Sequence, residues 1–83
     1  MKILYFAWVR ERIGLEAEEI ALPEGVSTVA DLAAFLKTRG EGYAHAFENP
    51  RVVRAALDRR HARPDTPLGA AREIAFFPPM TGG

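Results

Sequence analysis

The sequence predicts an α+β domain in which a mixed β-sheet packs against one main crossover helix. Its 83 residues are enough for a single hydrophobic core. Apolar residues make up 48% of the chain and charged residues 27%, which is typical of globular rather than disordered proteins. Four short apolar segments flank one segment with helical periodicity, and this arrangement gives the element order ββαββ.

The first two strands are predicted at residues 1–8 and 16–22 and form a hairpin. The first is rich in large apolar side chains at both alternating sets of positions, so we expect a central strand covered on both faces. The second alternates, with Glu18, Ile20 and Leu22 on one face, and is the more exposed partner. Residues 9–15 are expected to form a polar connection in which Gly14 adopts a positive φ.

The main helix is predicted to begin after Thr28, an N-cap residue followed three positions later by Asp31. Its apolar residues fall at i, i+3, i+4 and i+7 and form one stripe, composed of Val29, Leu32, Ala33 and Leu36. We expect the helix to end at Gly40. A further short helical turn is expected within residues 41–49.

The last two strands are predicted at residues 51–57 and 73–77, with a turn and its flanks at 59–63 between them. Pro78 and Pro79 end the final strand because a prolyl nitrogen donates no hydrogen bond. Since a helix connects the two halves, the last strand can lie parallel beside the first. The predicted domain spans residues 1–77, and residues 78–83 form an extended tail.

The composition excludes several classes of function. Eleven basic and eleven acidic residues cancel, which removes the main electrostatic reason to propose nucleic acid as a partner. The absence of cysteine excludes a thiol nucleophile and a thiolate zinc site, and neither histidine has a ligand cluster nearby in the sequence, so no metal site is predicted. Without a membrane-length apolar run or a signal-peptide pattern, we expect a cytoplasmic protein with no membrane partner.

Acidic and basic residues are separated along the chain. Residues 13–36 contain five acidic and no basic side chains, whereas residues 51–72 contain six arginines and two aspartates. One interpretation is two solvated faces of opposite sign, which improve solubility. The other is a dipolar surface that steers docking onto a partner protein. The sequence leaves both open.

The closing residues carry the most specific chemical signal. At an ordinary glycine usage of about 7%, a terminal pair such as Gly82-Gly83 arises by chance with a probability of roughly 0.5%. The six residues from Pro78 reach about 20 Å at roughly 3.3 Å each. The two glycines have no side chain and can enter a narrow channel. Such a tail presents its α-carboxylate, which reacts with a sulfur or amine nucleophile once another enzyme activates it with ATP. The sequence therefore suggests a carrier whose terminus is the reactive group.

Three segments resemble the small subunits of molybdopterin synthases. They are residues 5–11 (YFAWVRE), the Pro23-x-Gly25 turn before the capped helix, and residues 73–83 (EIAFFPPMTGG). The similarity spans the whole chain, and its closing segment is the most specific part. Members of that family have the ubiquitin-like β-grasp fold, which agrees with the ββαββ order.

The resemblance implies a sulfur carrier in molybdenum cofactor biosynthesis. In the family, a ubiquitin-activating-type enzyme adenylates the terminal glycine with ATP, and a persulfide donor converts it to a thiocarboxylate. The tail then enters the active site of the large subunit, where the sulfur passes to cyclic pyranopterin monophosphate. The chain alone is therefore not expected to be catalytic or to bind a cofactor. Two small and two large subunits are expected to form a heterotetramer.

The resemblance also implies site residues. Gly83 is the residue that becomes adenylate and thiocarboxylate, and Gly82 precedes it. The implied partner-binding residues are Phe6, His61, Phe77, Pro78, Pro79, Met80 and Thr81. Either Phe76 or Phe77 must belong to the core, because adjacent strand residues face opposite sides, and the sequence does not tell which.

Three alternatives remain. A thiamine-type sulfur carrier shares the fold and the terminal Gly-Gly, although such chains are usually shorter and lack the Phe-Phe-Pro-Pro approach. A ubiquitin-like protein modifier would form isopeptide bonds through the same glycine. A plain β-grasp interaction module would have no terminal chemistry and would keep its function without Gly82 and Gly83.

Overall fold

The computed structural model describes residues 1–79, which form a five-stranded mixed sheet and three α-helices. The strands are β1 (Lys2–Tyr5), β2 (Ala17–Glu19), β3 (Arg54–Leu57), β4 (Arg60–Ala62) and β5 (Glu73–Phe77), and the helices are α1 (Ala7–Ile13), α2 (Val29–Lys37) and α3 (Glu41–Ala46). The sheet order is β2-β1-β5-β3-β4. Strands β1 and β5 are parallel, and the other neighbouring pairs are antiparallel. The predicted α+β class and the parallel pairing of the first and last strands are confirmed.

All three helices pack on one face of the sheet. Ile3 lies opposite Ile74 in the register, and Tyr5 lies opposite Phe76, so these four side chains share that face. They are buried with residues from every helix, namely Val9 of α1, Val29, Leu32 and Leu36 of α2, and Ala46 of α3. This single layer of helix on sheet forms the hydrophobic core.

Helix α1 occupies the segment that the sequence predicted as the end of a strand followed by a polar connection. Strand β1 ends at Tyr5, and α1 ends at Ile13, which is followed by Gly14, whose φ of 87° matches the predicted positive value. Val9 and Ile13 are spaced by four residues and pack on the core, while Arg10 and Glu11 are exposed. This helical spacing was hidden because the apolar run of β1 continues directly into Trp8. The prediction of a strand through residue 8 was therefore wrong.

Helix α2 begins as predicted. The Thr28 hydroxyl accepts a hydrogen bond from the Asp31 backbone N–H (3.1 Å), and the Asp31 carboxylate accepts one from the Thr28 N–H (3.1 Å), which completes a capping box. Hydrogen bonds from the Ser27 and Thr28 backbone N–H groups hold the pKa of Asp31 below its usual value. The predicted end at Gly40 was wrong, because the helix ends at Lys37 and Gly40 is the N-cap of α3. Helix α3 lies within the predicted turn at 41–49.

The β3–β4 hairpin contains a strand, β4, that the predicted order ββαββ lacked. Strand β3 begins at Arg54 rather than at residue 51, because Pro50 starts a short 3-10 turn at Pro50–Val52. Residues 60–62, predicted as part of a turn, form β4. Asp58 and Arg59 make the tight connection with φ values of 46° and 71°, a conformation that non-glycine residues rarely adopt. Strand β5 spans the predicted residues 73–77.

Candidate functional site

The face of the sheet opposite the helices carries an apolar row. The register places Leu4, Ala75, Ala56 and His61 side by side across β1, β5, β3 and β4. The first three are partly buried and do not belong to the core cluster on the helix side. Strand β1 is therefore inside the sheet as predicted, but the helices cover only one of its faces. We call this second surface the open face.

Phe77 lies on the open face, at the end of β5 where the tail begins. It pairs with Arg54 of β3, and its ring centroid is 6.4 Å from that of His61, in an edge-to-face arrangement. Phe76 points the other way and is 1% exposed. Its ring stacks beside Tyr5 and meets Phe47 edge-to-face at 5.0 Å. Phe76 is thus the core residue of the pair, which decides the question that the sequence left open.

Phe6 lies at the same end of the sheet. Its backbone is extended (φ −126°, ψ 154°), and its N–H donates a hydrogen bond to the Phe76 carbonyl (3.0 Å). The parallel ladder therefore continues one residue beyond β1, and strand alternation places Phe6 on the same face as Leu4. Phe6 is 46% exposed, the largest exposed fraction among the bulky apolar side chains of residues 1–79. The two phenylalanines that the resemblance implied are both on the open face.

The tail leaves the sheet beside these aromatic residues. Pro78 and Pro79 follow β5 directly and are partly buried. The remaining predicted site residues, Met80, Thr81, Gly82 and Gly83, lie outside the described residues. The predicted division into a domain of residues 1–77 and a tail of residues 78–83 stays a prediction.

A hydrogen-bonded cluster on the helix side holds the edge strand β2 to the rest of the domain. One Glu18 carboxylate oxygen, Oε2, accepts hydrogen bonds from the hydroxyls of Tyr5 and Tyr43, both at 2.7 Å. The other, Oε1, lies 3.2 Å from the Arg39 guanidinium. Burial, reinforced by the bond to Glu18, raises the pKa of both tyrosines. With every member paired, the cluster has a structural role, because it fixes the sheet whose other face is open.

Sequence reasoning missed several residues of the open face. Leu4, Ala75, Ala56 and Arg54 were not among the predicted site residues. The signal was present, because both alternating sets of residues 1–8 are apolar, and this pattern was interpreted as a central strand covered on both faces. A sheet face that binds another protein has the same apolar sequence pattern as a face covered by a helix. The open face therefore fits docking of another protein.

Within residues 1–79, no helix is long and apolar enough to cross a membrane. In the same part of the chain, no group of three or more histidine, aspartate or glutamate side chains is arranged to hold a metal ion. The candidate functional site is the open face together with the point where the tail begins.

Comparisons with known proteins extend along the whole chain. A model of the ThiS family matches residues 3–83. The molybdopterin synthase sulfur carrier subunit of Escherichia coli is 37% identical over 83 residues, which cover 100% of this chain and 99% of that protein. The protein of the same name from Haemophilus influenzae is 32% identical with the same coverage. The crystal structure of SAMP1 from Haloferax volcanii is 25% identical, with a TM-score of 0.69, and the match covers 99% of this chain and 97% of that one.

These matches agree with the geometry of the fold. The sheet order, the parallel pairing of β1 with β5 and the helices on a single face form the ubiquitin-like β-grasp that the resemblance implied. Both curated relatives match from end to end, so the resemblance does not depend on the closing motif alone. The chain therefore belongs to the ThiS family and is similar along its whole length to the sulfur carrier subunits of molybdopterin synthase.

Proposed function

We propose that this protein is the sulfur carrier of a molybdopterin synthase and that it delivers sulfur on the carboxyl group of Gly83. Two full-length relatives that bear the name of this subunit support the proposal. The structural observation that carries it is the position of Phe77, on an open apolar face at the point where the tail begins. One partner can therefore hold the domain by this face and receive the tail at the same time.

The proposed chemistry takes place at the carboxylate of Gly83. A ubiquitin-activating-type enzyme joins this carboxylate to the AMP portion of ATP and releases pyrophosphate. The sulfur of a persulfide donor then attacks the activated carbon, AMP leaves, and a second thiol breaks the sulfur–sulfur bond to leave a thiocarboxylate. Because the chain has no cysteine, both the sulfur and the reducing thiol come from other proteins.

The acceptor is cyclic pyranopterin monophosphate in the active site of the large subunit. Docking through Leu4, Phe6, Ala75 and Phe77 would remove the apolar area of the open face from water. Aromatic residues often carry most of the binding energy in such interfaces, which favours Phe6 and Phe77 as the main contacts. Assembly of two small with two large subunits belongs to the same proposal.

The decisive experiment is an intact mass measurement of the protein purified from cells that contain the whole sulfur-transfer pathway. We expect a species in which one oxygen is replaced by sulfur, and fragmentation should map the change to Gly83. A variant that lacks Gly82 and Gly83 is the control and should show no such species. The purified thiocarboxylate should then convert cyclic pyranopterin monophosphate to molybdopterin when the large subunit is added.

Other outcomes would contradict the proposal. Gly-Gly remnants on the lysines of other proteins, without a thiocarboxylate, would favour the protein modifier. A thiocarboxylate that supports thiazole synthesis but not molybdopterin synthesis would favour the thiamine-type carrier. Full function of the shortened variant would favour the plain interaction module.

A further inference from the structure

A groove lies on the helix side of the sheet, between α2 and the β3–β4 hairpin. Its volume is about 830 Å³. Small side chains at facing positions leave this space open, and they are Ala30, Ala33 and Ala34 on α2 and Ala55 and Ala62 on the sheet. Phe47 and Phe76 also line it, so the groove borders the hydrophobic core.

The rim of the groove is strongly basic. Its lining includes Lys37, Arg51, Arg54 and Arg63 and no acidic side chain. All four basic residues are exposed, and within residues 1–79 none of them has an acidic partner within 4.0 Å. Three of the six arginines in the basic segment 51–72 therefore converge on one apolar groove, which favours the docking interpretation of the charge separation.

We propose that this groove docks an acidic amphipathic segment of a partner protein. The apolar side chains of the segment would enter between α2 and β3, and its carboxylates would pair with the basic rim. The rim residues come from α2, the 3-10 turn, β3 and the loop after β4, so they surround the groove and suit several carboxylates rather than one anion. The proposal does not depend on the sulfur chemistry at Gly83.

The position of the groove relative to the open face supports a protein occupant. Arg54 and His61 line the groove, and the register places both residues on the open face, Arg54 opposite Phe77. The two surfaces therefore meet at the β3–β4 edge of the sheet. A partner that holds the open face can place an acidic segment in the groove without a long connection.

A peptide of defined composition tests the proposal on the full chain. The probe is a four-turn peptide with leucines on one face and glutamates on the other, and its matched control has lysine in place of every glutamate. We expect saturable binding of the acidic peptide with a Kd below about 100 μM, or roughly −5.5 kcal/mol. In amide NMR spectra, the resonances of Ala33, Ala34 and Ala62 should shift, and those of Leu4 and Ala75 should not.

Two variants separate the groove from general charge attraction. The Arg51→Glu/Arg63→Glu protein should bind the peptide at least about tenfold more weakly, because each substitution replaces an attraction to the peptide's glutamates with a like-charge repulsion. The Arg60→Glu/Arg72→Glu protein has the same net charge change at exposed positions outside the groove and should bind within about twofold of the parent. Ala34→Leu keeps a good helix former and should fill the groove, which weakens binding without loss of fold.

Each of three results would overturn the proposal. The first is a peptide that shifts only open-face resonances or fails to saturate. The second is an equal loss of affinity in the two double variants, which would indicate nonspecific attraction. The third is binding of a fatty acid such as dodecanoate to the groove as tightly as the peptide, which would identify a site for small amphiphiles instead.

Discussion

Phe76 and Phe77 are adjacent on β5 and lie on opposite faces of the sheet. Phe76 is enclosed by Tyr5 and Phe47 in the core, whereas Phe77 sits beside His61 on the open face. The same kind of side chain therefore serves stability at one position and, in our proposal, partner binding at the next.

Alanine substitutions at these two positions are expected to have opposite effects. Phe76→Ala should lower the free energy of unfolding by about 3–5 kcal/mol, because it leaves a cavity in the core. Phe77→Ala should cost about 1 kcal/mol or less in stability but weaken large-subunit binding at least about tenfold. Urea unfolding and calorimetric titration measure the two quantities. Equal stability losses, or an unchanged dissociation constant for Phe77→Ala, would contradict the assignment.

Gly42→Ala is expected to destabilise the contact between α1 and α3. A Cβ atom at position 42 would lie 2.5 Å from the Arg12 carbonyl oxygen, which is backbone and cannot turn aside. We expect a loss of about 1–3 kcal/mol in unfolding free energy, typical of overpacking. Gly40→Ala is the matched control, because its nearest neighbour would be Tyr43 Cδ2 at 3.8 Å, an ordinary contact. Similar thermal midpoints for the two variants would be inconsistent with this packing.

Arg59→Gly is expected to stabilise the β3–β4 hairpin. Arg59 has a φ of 71°, and a left-handed conformation costs a residue with a Cβ atom about 1 kcal/mol or more. Glycine removes this strain, which favours the folded state by about 1 kcal/mol. Part of this gain is offset by the greater conformational entropy of glycine in the unfolded chain, so the free energy of unfolding should rise by less than about 1 kcal/mol. Arg60→Gly, one residue later in β4, should instead lower the free energy of unfolding. A loss of stability for Arg59→Gly in chemical unfolding would argue against the strained turn.

Stability is expected to fall above about pH 10, and Tyr5 is a main cause. Burial and the hydrogen bond to Glu18 raise the pKa of Tyr5 in the folded protein above its unfolded value. The unfolded chain therefore loses this proton first, so the stabilisation is complete below the unfolded pKa and declines as the pH rises above it. The slope for one such group is about 1.4 kcal/mol per pH unit.

Urea unfolding between neutral pH and pH 11 measures this effect. The Tyr5→Phe variant should be less stable at neutral pH, since it lacks the bond to Glu18, and should show a shallower decline above pH 10. The Tyr43→Phe variant keeps the more deeply buried hydroxyl, that of Tyr5. Its stability should therefore decline more steeply above pH 10 than the stability of the Tyr5→Phe variant. An equally steep decline in Tyr5→Phe and the parent would contradict this role of Tyr5.

The sequence by itself determined the features that depend on neighbouring residues. The capping box of Thr28 and Asp31 was predictable from the sequence because its hydrogen bonds lie within four residues. The end of β5 was readable because Pro78 cannot continue a ladder. The similarity to sulfur carrier subunits was likewise visible in short local segments.

Only the tertiary structure decided the features that depend on contacts between distant segments. Helix α1 was hidden because its few apolar residues continue the run of β1, and packing of Val9 on the core selects the helix. The choice of Phe76 over Phe77 for the core depends on the register of β5 with β1 and β3. The basic groove joins side chains from residue 29 to residue 76. Local hydrogen bonds and backbone constraints leave a pattern in the sequence, whereas strand register and the space between packed elements exist only once the chain has folded.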